Sequence, residues 1–150
     1  MRCALALIVS VFVAQSSALA APQQVLYGHI TSLTRKAGGF ELKFDPAWWL
    51  TGSAAAHAKL EDTGSNDVPN DYYIVEEGHR LLTYVVSSTA RATVLTRRGA
   101  TRVTVAELAQ IVAGRNPNHR KLLEPKAGFW IRIGLKFPNP VVSLEQQYQP

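Results

Sequence analysis

Residues 40–45 read FELKFD, with Phe40, Leu42 and Phe44 on one side of an extended chain and Glu41 and Lys43 on the other. That period of two marks a half-buried strand. The β-branched and aromatic run VLYGHITSLTR at 25–35 precedes it across Lys36-Ala37-Gly38-Gly39, which predicts a hairpin turning at the glycine pair. Asp45-Pro46 carries a helix-start signal, an N-cap acceptor followed by a proline suited to the first helical position. It predicts one or two helical turns over Trp48-Trp49-Leu50, ended by Gly52. An Ala-rich run predicts a second short helix over 54–61, with Gly64 beyond its end. The stretch DTGSNDVPND at 62–71 has no apolar period and reads as a surface loop. YYIVE and HRLLTYVV follow, joined at Glu77-Gly78 as a second hairpin, and RATVLTR at 91–97 continues the β-rich region to a turn at Arg98-Gly99-Ala100.

Thr104 opens the clearest helix: its hydroxyl can cap the first turn, and Glu107 three residues on completes a capping box. Val105, Leu108, Ala109 and Val112 follow the spacing of a buried stripe, and Gly114 supplies the stop. An irregular basic segment lies between Asn116-Pro117-Asn118 and Glu124-Pro125, GFWIRIGLKF reads as another strand, and VVSLEQQY as an edge strand or final turn. Five or six short strands with one packed helix and short helices in the N-terminal half predict a mainly β, α+β architecture. A small curved sheet or β-barrel, OB-like or SH3-like, fits that list. The helix fits the OB order poorly, because an OB helix falls between the third and fourth of five strands.

Apolar residues make up 47% of the 150-residue chain and charged residues 18%, which excludes a disordered chain. Part of that apolar content is an address. Arg2 is followed by an apolar run over 3–14 broken by Ser10, then Gln15-Ser16-Ser17 and Ala18-Leu19-Ala20, the order of a secretory signal peptide cut before Ala21. The run is shorter than the roughly 18 to 20 residues of a spanning helix. The expected organisation is a signal peptide at 1–20, one β-rich domain at 21–150, a secreted or cell-envelope location, and no transmembrane segment after processing. Cys3 is the one cysteine and falls in the removed segment. A cysteine-free mature chain excludes thiolate zinc sites, iron–sulfur clusters, a thiol nucleophile and disulfides.

The segments VPNDYY (68–73), GHRLLTY (78–84), TVAELAQIV (104–112), GFWIR (128–132) and LEQQYQP (144–150) resemble a group of small, uncharacterised exported bacterial proteins, some of them lipoproteins. The resemblance implies export and a single domain, and it assigns no activity or catalytic residue.

Charge is segregated along the chain. After removal of 1–20 the balance is 15 Lys+Arg against 11 Asp+Glu. Residues 45–77 hold seven of the acidic residues and one basic residue, Lys59, whereas 78–136 hold eleven basic residues against Glu107 and Glu124. Arg97, Arg98, Arg102, Arg115, Arg120, Lys121 and Lys126 form the candidate patch for an anionic envelope polymer or extracellular protein. The plainer reading is a set of solvated charges that blunt strand edges. Trp130, between Phe129 and Arg132, could add a stacking surface. Nucleic acid is disfavoured as a partner, since an exported protein meets little of it.

Catalytic signatures are weak. His29, His57, His79 and His119 are scattered, with no H-E-x-x-H; Ser53 in LTGSA lacks the nucleophile elbow; and no glycine-rich phosphate loop occurs. The best acid/base group is Asp71, Glu76, Glu77 and His79, against the plainer reading of a charged hairpin tip. Asp62, Asn66, Asp67, Asn70 and Asp71 offer hard oxygen ligands suited to Ca²⁺, but Gly64 breaks the EF-hand pattern. Of the adjacent aromatic pairs Trp48-Trp49 and Tyr72-Tyr73, one member each should be buried. The sequence implies no cofactor and no metal. It favours a non-enzymatic binding module, with a small hydrolase assembled only in the fold, or a structural envelope protein, as the alternatives.

Overall fold

The computed structural model of the chain describes residues 23–76, 78, 80–123, 127–135 and 137–149. The segment expected to be a signal peptide, Glu77, His79, Glu124, Lys126 and Lys136 lie outside the described residues. Among the described residues there are seven strands and two helices: β1 (Gln24–Lys36), β2 (Gly39–Thr51), α1 (Gly52–Thr63), β3 (Tyr72–Glu76), β4 (Leu82–Thr96), β5 (Gly99–Val103), α2 (Val105–Val112), β6 (Phe129–Ile133) and β7 (Val141–Gln146).

The strands hydrogen-bond in the order β3-β2-β1-β6-β7-β4-β5, and a further pairing of β2 with β4 closes β2, β1, β6, β7 and β4 into a five-stranded barrel. All its pairs are antiparallel except β4 with β7. With β3 and β5 set aside as outside strands, α2 falls between the third and fourth barrel strands, β4 and β6. The expected mismatch with the OB order therefore disappears: it arises only when the two outside strands are counted along the chain. Phe40, Leu42, Phe44, Val86, Ile131 and Leu144 fill the barrel, and Val105, Leu108 and Ile111 of α2 join the same core.

The first hairpin forms as the pattern predicts, with Lys36 opposite Gly39 and Gly38 in the left-handed region at φ 81°. Beyond it, β2 does not turn helical at Asp45-Pro46. It continues to Thr51, because both of its edges are occupied: β1 lies along one edge, while Phe40–Phe44 pair with β4 and Ala47–Thr51 with β3 along the other. Asp45 and Pro46 fall in the gap between those two ladders, where β2 changes partner. Opposite them stands Gly28, where a Cβ would sit 2.1 Å from the Asp45 carbonyl oxygen. Gly52, expected to end a helix, instead begins α1, and Gly64 ends it with its N–H on Leu60 O.

The second hairpin is absent. β3 and β4 pair with successive stretches of β2 rather than with each other, so they run as one interrupted strand. The last segment is not an edge. β7 is held between β6 and β4, and its Val141 and Leu144 are fully buried. At the start of α2 the Thr104 hydroxyl accepts from Glu107 N at 3.0 Å, as expected. The Glu107 carboxylate does not complete the box; it turns to Arg120.

Candidate anion-binding cleft

The β4–β5 turn consists of Arg97 and Arg98, with Thr96 opposite Gly99. Gly99 has φ 98°, a conformation that residues with a Cβ rarely adopt. Thr96 is buried, and its hydroxyl fixes the turn by donating to Gly99 O at 3.1 Å and accepting from Arg98 N at 3.2 Å. The two arginine side chains thus project from an ordered turn.

A second wall comes from residues 116–123, which show no helical or strand period yet are firmly held. Asn116 clamps the segment on itself, its amide donating to Arg120 O at 2.7 Å and its carbonyl accepting from Arg120 N at 2.9 Å. The backbone then joins β4: Arg97 N donates to Lys121 O at 3.0 Å and Leu123 N to Leu95 O at 2.9 Å. Gln146 of β7 bridges the junction, accepting from Leu95 N at 2.7 Å and donating to Leu123 O at 3.3 Å.

Between the walls lies a cleft of about 470 Å³ lined by Thr96, Arg97, Arg98, Thr101, His119, Arg120 and Lys121. Arg120 is neutralised. Its Nη2 donates to Glu107 Oε2 at 3.0 Å and its Nε to Oε1. The Arg120 hydrogen bonds hold the Glu107 carboxyl below its ordinary pKa, against the opposing effect of burial, with Asn118 adding to the lowering. Arg97, Arg98 and Lys121 make no ion pair among the described residues. Uncompensated guanidinium forks beside threonine hydroxyls suit carboxylate or phosphate oxygens.

The structure redistributes the other candidates. Thr101 and Arg102 are neighbours on β5 and so project from opposite faces. Arg102 therefore leaves the cleft and joins Arg91, Arg132 and Ser143 around a separate hollow. Arg115 lines a third hollow, beside α2. Trp130 is half-buried on the outer face of β6: its indole N–H donates to Gln147 Oε1 at 3.0 Å, and its ring lies 5.0 Å from Tyr27 and 6.0 Å from Trp49. Trp49 stacks on Tyr72 at 4.1 Å and 14°. One member of each adjacent aromatic pair thus enters a single cluster, while Trp48 is 57% exposed.

Asp71 precedes β3 and Glu76 is its last residue, with the five-residue strand between them, so the two do not converge. Glu77 and His79, the rest of that acid/base group, lie outside the described residues. Glu76 meets a different histidine, His29, at 3.1 Å. Their separation of 47 positions in sequence gave no signal. Among the described residues no hydroxyl bonds to His29, so a nucleophile, base and orienting acid do not come together there. The expected loop at 62–71 begins only after Thr63, since α1 takes in Asp62 and Thr63; Asp62 accepts from the Tyr73 hydroxyl and the Asp67 carbonyl from Lys59. Among the described residues no three His, Cys, Asp or Glu side chains gather as metal ligands.

No family model, no curated protein and no solved structure matches the chain.

Proposed function

We propose that this is an exported, non-enzymatic binding module that holds an anionic polymer of the cell envelope or its surroundings in the cleft between the β4–β5 turn and residues 119–121. The observation that carries the reading is the meeting of Arg97, Arg98 and Lys121 across one cleft with no carboxylate paired to them among the described residues. Cations on a flexible loop lose side-chain and backbone entropy on binding. Here the backbone beneath them is already fixed by bonds from Thr96, Asn116 and Gln146. A polymer adds avidity, since successive acidic groups can re-engage the same cleft.

Binding of polygalacturonate, a carboxylate polymer, followed by fluorescence anisotropy with neutral dextran as control, tests the reading. The wild type should bind the acidic chain, weaken as salt is raised through the screening range, and ignore dextran. An Arg97→Glu/Arg98→Glu variant should lose at least tenfold in affinity, roughly the effect expected when two charge-assisted contacts are reversed. Arg102→Glu, on the opposite face, should bind as the wild type does. Equal binding by the turn variant and the wild type would defeat the proposal.

A further inference from the structure

The residue that leaves the cleft, Arg102, enters a more constrained arrangement. On the outer face of the barrel, strand register places Arg91 of β4 opposite Ser143 of β7, and Ser143 opposite Arg132 of β6. Ser143 is therefore flanked on both sides by an arginine one strand away, about 5 Å between backbones. Arg102 of β5 is opposite Thr93, two residues along β4 from Arg91, and so shares that face. The three arginines and Ser143 line one hollow of about 580 Å³. Its one carboxylate is Glu145, 3.8 Å from the Arg132 guanidinium, which leaves an excess of two positive charges.

The serine is the second observation. Ser143 is 5% exposed, and its hydroxyl is the buried side-chain polar atom without a hydrogen-bond partner among the described residues. Buried hydroxyls nearly always have a partner, so one without a bond at the foot of three cations is a donor in need of an acceptor. Arginine cannot supply one, because a guanidinium only donates. The hydroxyl could also accept from a guanidinium, but none of the three bonds to it; an anionic group with oxygen lone pairs would satisfy the hydroxyl proton and the arginine donors together.

We propose that Arg91, Arg102, Arg132 and the Ser143 hydroxyl form a binding site for a tetrahedral oxyanion, a phosphate or sulfate group. A planar carboxylate presents two oxygens, enough for one guanidinium fork. Three forks approaching from three strands, with a hydroxyl below, match an acceptor with oxygens in several directions. The site lies across β5 from the Arg97–Lys121 cleft and is independent of it.

The test titrates ¹⁵N-labelled full-length mature protein with inorganic phosphate, sulfate or acetate at constant ionic strength, following amide and arginine Nε–H resonances. Saturable shifts of Arg91, Arg102, Arg132, Ser143 and their strand neighbours, reached at lower anion concentration than any at the Arg97–Lys121 cleft, are expected with phosphate or sulfate, and the tighter of the two identifies the group. Ser143→Ala removes one hydroxyl and no charge, and should weaken binding by about tenfold, the value of one hydrogen bond to a charged group. Arg102→Gln, on an exposed outside strand, should weaken it at least as much and serves if Ser143→Ala folds poorly. Arg97→Glu/Arg98→Glu should leave this affinity unchanged, so failure here and failure of the polymer reading are separable. Equal affinity for acetate, unsaturable shifts over all arginines, or Ser143→Ala binding as tightly as the wild type would overturn the site.

Discussion

Glu107 shows how a residue's role can differ from its local signal. Its spacing from Thr104 suits a capping box, and half of that box forms. Its carboxylate is drawn instead to Arg120, thirteen residues on and across an irregular segment, where two hydrogen bonds to a guanidinium outweigh one to a helix-end N–H. The folded carboxyl is held below its ordinary pKa. The stabilisation is therefore fully present above the unfolded value, about 4.5, and is lost as pH falls through the folded value. Glu107→Gln should cost about 2 kcal/mol in urea denaturation at pH 7. The gap should narrow toward pH 3 as the wild type loses the same interaction; a gap unchanged between the two pH values would contradict the ion-pair account. Gly28 makes a second residue-scale case, since its importance comes from the close approach of Asp45 and Pro46 on the neighbouring strand. Gly28→Ala should destabilise by about 3 kcal/mol in the same assay, because a Cβ there pushes β1 and β2 apart. The flanking run reads as a strand, but nothing in it shows which neighbour comes this close to the glycine.

At the scale of elements, those stabilised by their own residues were legible. The β1–β2 hairpin follows from alternation and a glycine turn, and α2 follows from its apolar stripe, Thr104 and Gly114. Thr104→Ala should cost about 1 kcal/mol by thermal melting, the usual value of an N-cap acceptor, and Thr104→Ser should restore most of it. Elements defined by partners were misread. Asp45-Pro46 resembles a helix start only while β3 and β4 are absent from the far edge of β2. The Glu77-Gly78 junction resembles a hairpin because two extended runs flank it, yet both find the same strand. β7 reads as marginal because the segment is short and follows Pro138-Asn139-Pro140, but closing the barrel buries Val141 and Leu144 completely. The same limit hid the candidate sites: alternation can place Thr101 and Arg102 on opposite faces, but only register sets Arg91 and Arg132 beside Ser143.

For the whole molecule, strand order carries part of the charge segregation along the chain into space. Glu61, Asp62, Asp67 and Asp71 lie in α1 and the loop before β3, which pairs with the end of β2 beyond β4, whereas Arg97 and Arg98 lie at the far end of β4 in its turn to β5, and Arg91, Arg102 and Arg132 lie on the barrel face between. The proposed export carries its own check: mass spectrometry of the protein recovered from its native cell should find a terminus at Ala21 on extracytoplasmic material. An intact Met1 on folded cytosolic protein would remove the envelope polymer from the candidate partners. The sequence by itself determined the β-rich class, the capped helix, the first hairpin and the uneven distribution of charge, because these depend on residues within a few positions of one another. The tertiary structure alone decided which strands share edges, that the sheet closes, and which arginines stand together, because strand pairing joins residues far apart in the chain and its register assigns each side chain to a face.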